Sequence, residues 1–290
     1  MPHYVVIYHR ADFDGLFSRE IARRALPSAE LIGWDYGDPI PVIPPSALLY
    51  MIDISIAGLM DHPNLTWIDH HKTAIDQWAA GKNGEGITGL HVDGVAACRL
   101  AWQWFFGVED GFAAAIPKEN YTDRLVIEPM AVRLAGEYDV WDKRDPDADL
   151  FQHGLRAQEL TDAIWDELLD GSRTDRVAEL LERGRYLQYA QQQQDASIIK
   201  RNGFTVVWEG LRFLACNASR YNSHLFTAAI QPEHEALLGF NWTGRRWRVS
   251  LYGAPLRPDL DLSGIARKYG GGGHRQACGF EVDDLPFSLT

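Results

Sequence analysis

Acids and imidazoles gather at four points in the first half of the chain. They are His9-Arg10-Ala11-Asp12-Phe13-Asp14-Gly15, then Asp53, then Asp69-His70-His71, and then Asp139. Carboxylate and imidazole are the donors that hard divalent ions such as manganese or magnesium take in octahedral sites. Two such ions about 3.5–4 Å apart clamp a phosphoryl group and activate a water between them. A site of that kind needs several carboxylates, one of them shared, together with neutral histidines. Asp12 and Asp14 alternate, so they can serve different ions, and Asp53 is placed to bridge. Asp69-His70-His71 brings an acid and two imidazoles to one loop. Each piece alone has a plainer meaning. Asp-x-Asp-Gly is turn chemistry, Asp53 suits a helix N-cap, and a lone His9 packs or caps. Their succession is what points to a metal centre and to hydrolysis of a phosphate ester.

The elements that must position these groups are legible around them. Tyr4–Tyr8, Leu48–Asp53 and Leu65–Asp69 are short apolar runs that read as strands, and each is closed or followed by a piece of the set. Leu31–Trp34 reads as a further strand, and the prolines at 39, 41, 44 and 45 as a loop. A helix is expected from about Asp14, with Phe17, Ile21 and Ala25 on one face. Gly15 is expected to allow the tight turn into it. Further helices are expected over 94–106, 128–140 and 161–169. A long polar helix follows over 173–202, carrying Val177, Leu180, Leu181 and Leu187. Strands alternating with helices predict an α/β fold with a parallel sheet and helices on both faces. Ligands bind beyond the carboxyl ends of such strands, which is where His9, Asp12, Asp53 and Asp69 fall. The expected organisation is a catalytic domain over 1–172, a linker helix over 173–202, and a smaller α/β domain over 203–290. The last has strands at 204–208, 211–216, 236–242 and 246–252, and helices at 222–230 and 262–268.

Composition bounds the function. Net charge is −12, with 18 basic and 32 acidic residues in positions 1–200 against 10 and 8 in positions 201–290. So acidic a chain is unsuited to long duplex nucleic acid, which is gripped by neutralising many phosphates. No apolar stretch approaches the ~20 residues that span a bilayer, and no secretory signal is visible. The sparse cysteines Cys98, Cys216 and Cys278 suit a reducing cytoplasm.

Asp69-His70-His71, preceded by His9-x-x-Asp12-x-Asp14-Gly15, resembles the DHH phosphoesterase superfamily. The stretch Ile265–Phe280, with Gly270-Gly271-Gly272-Gly273-His274-Arg275 at its centre, resembles that superfamily's substrate domain, DHHA1. The likeness spans nearly the whole chain in the family's order. It implies that His9, Asp12 and Asp53 hold one manganese, and that Asp14, Asp53, His70 and Asp139 hold a second. Magnesium is an alternative ion. His71 would contact substrate phosphate and Asp69 would orient the imidazoles. Asp142 rivals Asp139 by position, and the family's last motif favours Asp139.

The glycine run suggests a backbone that approaches an anion closely. In the family it binds a nucleotide's phosphate or terminal base, which assigns Gly271, Gly272, Gly273, His274 and Arg275 to the substrate. There is one departure. Tyr252, in Ser250-Leu251-Tyr252-Gly253, stands where many relatives have arginine. Tyr252 could then stack on a base, with Arg220 or Arg257 supplying the charge. The resemblance implies a manganese-dependent phosphodiesterase of the oligoribonuclease branch. It would cleave short single-stranded RNA or DNA, including linear products of cyclic dinucleotides, to mononucleotides with a two-metal-activated water. Alternatives are a 3′-phosphatase on bisphosphorylated adenosine, a manganese pyrophosphatase or polyphosphatase, and a non-catalytic binding protein of the same fold. No membrane partner is expected, and a homodimer is compatible with the sequence.

Overall fold

Short apolar runs rich in β-branched residues build the first sheet of the protein. A computed structural model describes residues 2–82, 84–107, 116–142, 144–219 and 221–289. The strands β1 (Tyr4–His9), β2 (Glu30–Trp34), β3 (Leu48–Ile52), β4 (Leu65–Asp69) and β5 (Gly89–His91) pair in parallel in the order β2-β1-β3-β4-β5. Side chains alternate across this sheet. Val6, Ile52 and Ile68 enter a core with α1 (Phe13–Ala25), α3 (Ala97–Phe106), α5 (Met130–Asp139), α6 (Asp147–Arg156) and α7 (Asp162–Leu169). Val5, Ile7, Met51 and Trp67 face a separate core closed by α2 (Lys72–Trp78) and the turn at Ala57–Leu59. Helical cover on both faces is the expected arrangement. A short α4 (Lys118–Thr122) precedes α5.

The strand order reverses between β1 and β3, because β1 has β2 on one side and β3 on the other. Loops leaving adjacent strands there diverge and open a crevice at the carboxyl end. Gly15 matters at this point for a reason other than the expected turn. A Cβ on it would lie 1.7 Å from the carbonyl oxygen of His9, so only glycine lets α1 lie against the end of β1.

Two compact units divide the chain, Met1–Leu187 and Gln188–Thr290. The division falls inside α8 (Thr174–Asn202). The second unit carries a mixed sheet of six strands in the order β10-β11-β9-β8-β7-β6. Its members are β6 (Gly203–Trp208), β7 (Leu211–Asn217), β8 (Ala236–Trp242), β9 (Trp247–Gly253), β10 (Gly272–His274) and β11 (Ala277–Val282). The helix α9 (Ser263–Lys268) packs on β10 and β11. The helix expected over 222–230 is instead a single tight turn at Ser223–Phe226. Asn222 accepts a hydrogen bond from the His224 N–H, and Leu225 and Phe226 sink into the core there, which holds the segment in a turn. The glycine run is likewise not all loop, since Gly272–His274 form the edge strand. No helix among the described residues is long and apolar enough to cross a membrane.

Candidate metal centre

Four chain segments deliver the acid and imidazole groups to the carboxyl end of the first sheet. His9 ends β1, and Asp12 follows as the N-cap of α1, with Oδ1 accepting the Gly15 N–H at 3.0 Å. Asp14 is buried in the first turn of α1. Its oxygens accept the N–H groups of Ala97 and Cys98, at 2.8 and 2.7 Å. These are the first residues of α3, so a carboxylate from α1 caps a helix far along the chain. Asp53 follows β3 with φ of +63°, the left-handed region that non-glycine residues rarely occupy. Its N–H is held by the Ile68 carbonyl at 2.9 Å. Asp69 ends β4, and its Oδ1 accepts from the His70 N–H at 2.7 Å, the His71 N–H at 3.1 Å and His71 Nδ1 at 2.7 Å.

The distances sort these groups into two sets that share one residue. His9 Nδ1 lies 2.9 Å from Asp12 Oδ2 and 3.5 Å from Asp53 Oδ2. His70 Nε2 lies 3.3 Å from Asp53 Oδ1, 3.5 Å from Asp14 Oδ2 and 3.4 Å from Asp139 Oδ2. Asp53 thus turns one oxygen to each set. Ligand atoms of His9, Asp12 and Asp53 lie within 4.8 Å of one another, as do those of Asp14, His70 and Asp139, and those of Asp53, Asp69, His70 and His71. Asp142, the rival of Asp139, pairs with Arg144 Nε at 2.8 Å instead.

The donors fit a pair of hard cations. His9 Nδ1 and Asp53 Oδ2 are buried and unsatisfied by hydrogen-bond geometry, although Nδ1 stands 2.9 Å from Asp12 Oδ2 and 3.5 Å from Asp53 Oδ2. Unpartnered buried polar atoms are rare and call for an ion or a water. The electrostatics agree. Burial and the neighbouring Asp14 push the carboxyls of Asp53 and Asp139 well above the usual carboxylate range. Asp12 and Asp53 push the His9 imidazole up to about 11. Negative charge is therefore crowded here in a way a cation relieves. Burial works to raise Asp12 too, but His9 and the Gly15 N–H outweigh it and hold it low. Burial works to lower His71, and Asp69 more than offsets it, so that imidazole is raised.

Two features of the site were not anticipated. One is the α3 N-terminus behind Asp14, whose partner lies too far along the chain for local spacing to show. The other is Asp35, whose Oδ1 is 3.5 Å from His9 Nε2. A signal for it existed, because Leu31–Trp34 runs into an acid just as the β3 and β4 segments do.

In the second unit, His274, Ala277 and Tyr252 lie side by side in one cross-strand row, and Gly272, Gly279 and Ser250 in the row two positions along. His274, Gly272 and Gly273 are exposed at the sheet edge. Arg275 is exposed and donates to the Asp259 carbonyl at 2.9 Å. Tyr252 is half-buried against the core that holds Phe226 and Leu237. Arg257 is engaged by Glu235 at 2.6 Å and by Asp259 at 3.1 Å. Arg220 lies outside the described residues.

The run Gly270–Gly273 has structural reasons of its own. Gly270, with φ of +77°, follows α9 and donates to the Arg267 carbonyl, while Gly271 donates to that of Ala266. That pair of bonds is the left-handed helix ending that favours glycine. A Cβ on Gly271 would lie 2.0 Å from the Gly279 oxygen, and Gly273 has φ of +126°.

No protein-family profile matches the chain. A curated relative, the uncharacterized protein R106 of Acanthamoeba polyphaga mimivirus, is 26% identical over 228 residues, covering 75% of this chain. The chain spans about half of that relative, 48% of its length. Among solved structures, a pGpG-specific phosphodiesterase, PggH from Vibrio cholerae, superposes with a TM-score of 0.54 at 14% identity, covering 97% of this chain and 93% of that one. The DHH domain of a member of the s1p family of ribosomal proteins gives 0.54 at 15% identity, with coverage of 97% and 82%. An exopolyphosphatase-related protein from Bacteroides fragilis gives 0.51 at 12% identity, with coverage of 98% and 88%. At such identities the likeness is one of fold.

Proposed function

We propose that the protein is a metal-dependent phosphoesterase that hydrolyses short oligonucleotides to mononucleotides, with manganese as its ion. The observation that carries this reading is Asp53, a buried carboxylate with one oxygen facing His9 and the other facing His70. In this reading His9, Asp12 and Asp53 hold one ion, and Asp14, Asp53, His70 and Asp139 hold the other. A pair of divalent ions, when bound, neutralises phosphate charge and acidifies a water near neutral pH.

The chain's own groups do the positioning. The N–H groups of Ala97 and Cys98 fix Asp14, so that its carboxylate needs no reorganisation. Asp69 holds Nδ1 of His71 as the protonated nitrogen and leaves the far edge of the ring to meet a phosphoryl oxygen. Asp69 also raises the His71 pKa, which favours the form that donates from both ring nitrogens. In the second unit, Gly271 and the exposed edge Gly272–His274 with Arg275 are assigned to the nucleotide, and Tyr252 presents a partly open ring in the same cross-strand row as His274. The pGpG specificity of the Vibrio protein that shares this fold supports a two-nucleotide substrate.

The test is product analysis with manganese. The full chain is offered a 5′-phosphorylated RNA dinucleotide, a longer single strand, bisphosphorylated adenosine and pyrophosphate side by side. Preferential conversion of the dinucleotide to mononucleotides is the expected result. Turnover of pyrophosphate alone would overturn the substrate assignment, and silence on all four would overturn the hydrolase reading.

A further inference from the structure

We infer that Asp35 is a positioning residue for His9, fixing which ring nitrogen faces the candidate ion site. The inference rests on the metal reading of that site. His9 presents Nδ1 to Asp12 and Asp53, and Nε2 to Asp35 Oδ1 at 3.5 Å. A neutral imidazole carries one N–H. With an ion held by Nδ1, Asp12 and Asp53, the ring's one hydrogen would lie on Nε2, the nitrogen that Asp35 Oδ1 faces. Nδ1 is buried among the two carboxylates assigned with it to one ion, Asp12 Oδ2 at 2.9 Å and Asp53 Oδ2 at 3.5 Å. The same division of labour fixes tautomer and ring angle in metal-ligating histidines elsewhere.

Asp35 is itself held in place. Its N–H donates to Asp38 Oδ2 at 2.9 Å, and its Oδ1 also accepts the Tyr36 N–H at 2.7 Å. Asp38 is clamped by both terminal nitrogens of Arg10, one of them at 3.1 Å to Oδ1. Arg10 belongs to the loop after β1, and its N–H bonds the Trp34 carbonyl at 3.1 Å. A chain of contacts thus runs from Arg10 through Asp38 and Asp35 to His9, tying the ends of β1 and β2 together. The Tyr36 ring stands edge-on to His9, with centroids 6.2 Å apart, and flanks the same imidazole. Asp35 side-chain exposure is 40%, so the carboxylate tolerates replacement without opening a core.

The experiment titrates the full chain with Mn2+ by calorimetry, in the wild type, Asp35→Ala and Asp35→Asn. It also records the His9 ring nitrogens by NMR with Mg2+ present. Asp35→Ala should weaken Mn2+ binding by about 10–100-fold, the usual effect of losing such a partner, and should spread the His9 hydrogen over both nitrogens. Asp35→Asn keeps an acceptor oxygen and should fall between. Should Asp35→Ala fail to fold, Asp35→Asn carries the same two readouts. Equal Mn2+ affinity with unchanged His9 signals would overturn the role of Asp35 while leaving the metal reading intact. A wild type that takes up no Mn2+ would overturn both.

Discussion

Replacing Asp53 with asparagine should separate the metal site from the fold. Asn matches Asp in shape and accepts the left-handed backbone that position 53 requires, at φ of +63°. The change removes a charge from a buried acidic cluster. Asp53 Oδ1 and Asp14 Oδ2 both lie within 3.5 Å of His70 Nε2, so they are at most about 7 Å apart. At an effective dielectric constant of ~20, relief of that repulsion is worth at least about 2 kcal/mol. The metal-free variant should therefore melt at or above the wild-type temperature. The opposite holds with metal. An ion at a hundred times its Kd stabilises the wild type by about 2.7 kcal/mol. For a unit of this size each 1 kcal/mol is about 2–4 °C in Tm, so manganese should raise the wild-type midpoint by about 5–10 °C. Asp53→Asn should lose that increment, and hydrolysis should fall by at least about 10²–10³-fold, the range seen when one preorganised electrostatic contact is lost. Differential scanning fluorimetry with and without Mn2+, paired with product analysis, reads both quantities. A variant that kept the metal-induced rise would refute the shared-ligand assignment. One that lost several degrees without metal would show that Asp53 acts mainly on the fold.

Gly15→Ala places a methyl against the His9 carbonyl at 1.7 Å, and backbone cannot yield as a side-chain tip can. A loss of about 3 kcal/mol is expected in urea unfolding, and wild-type stability would contradict the close packing of α1 on β1. His274→Ala should raise KM for a dinucleotide by about 10-fold, as loss of one charge-assisted hydrogen bond does, with Mn2+ affinity untouched. An unchanged KM would remove His274 from the substrate site. The three cysteines are buried, and burial pushes the Cys278 thiol up to about 11. Thiol reagents at pH 8 should therefore label the folded chain slowly and all three sites after unfolding in guanidinium, with mass spectrometry as the readout. Rapid native labelling would contradict the packing.

What the sequence revealed depended on whether the determining forces were local. Strands β1, β3 and β4 could be read because a short apolar run and the imidazole or acid that closes it lie within a few positions. The helices α1, α7 and α8 carried their own periodicity or caps, such as Thr161, which accepts the Ile164 N–H. The start of α3 did not. It was expected at Gly94 and begins at Ala97, because Asp14 supplies the cap from across the fold. The α6 segment follows Pro146 and carries too short an apolar face to stand out, yet Phe151 and Leu155 bury fully against its neighbours. The segment 222–230 had helical spacing, but side-chain capping by Asn222 and burial of Phe226 turned it into a tight turn. At the site, the residues could be collected by type and position. Their division into two sets, and the turn of Asp53 that joins the sets, arise only from three-dimensional register.

The glycine run also sets where this protein can change. Gly270 is fixed by the helix ending, Gly271 by its contact with Gly279, and Gly273 by its backbone angle. At Gly272 an added Cβ would meet nothing within 4 Å. Side chains can thus be installed at position 272, on the exposed edge of the sheet, while the backbone beside them keeps its course. Diversification of that edge, by selection or in the laboratory, has one open address among the four.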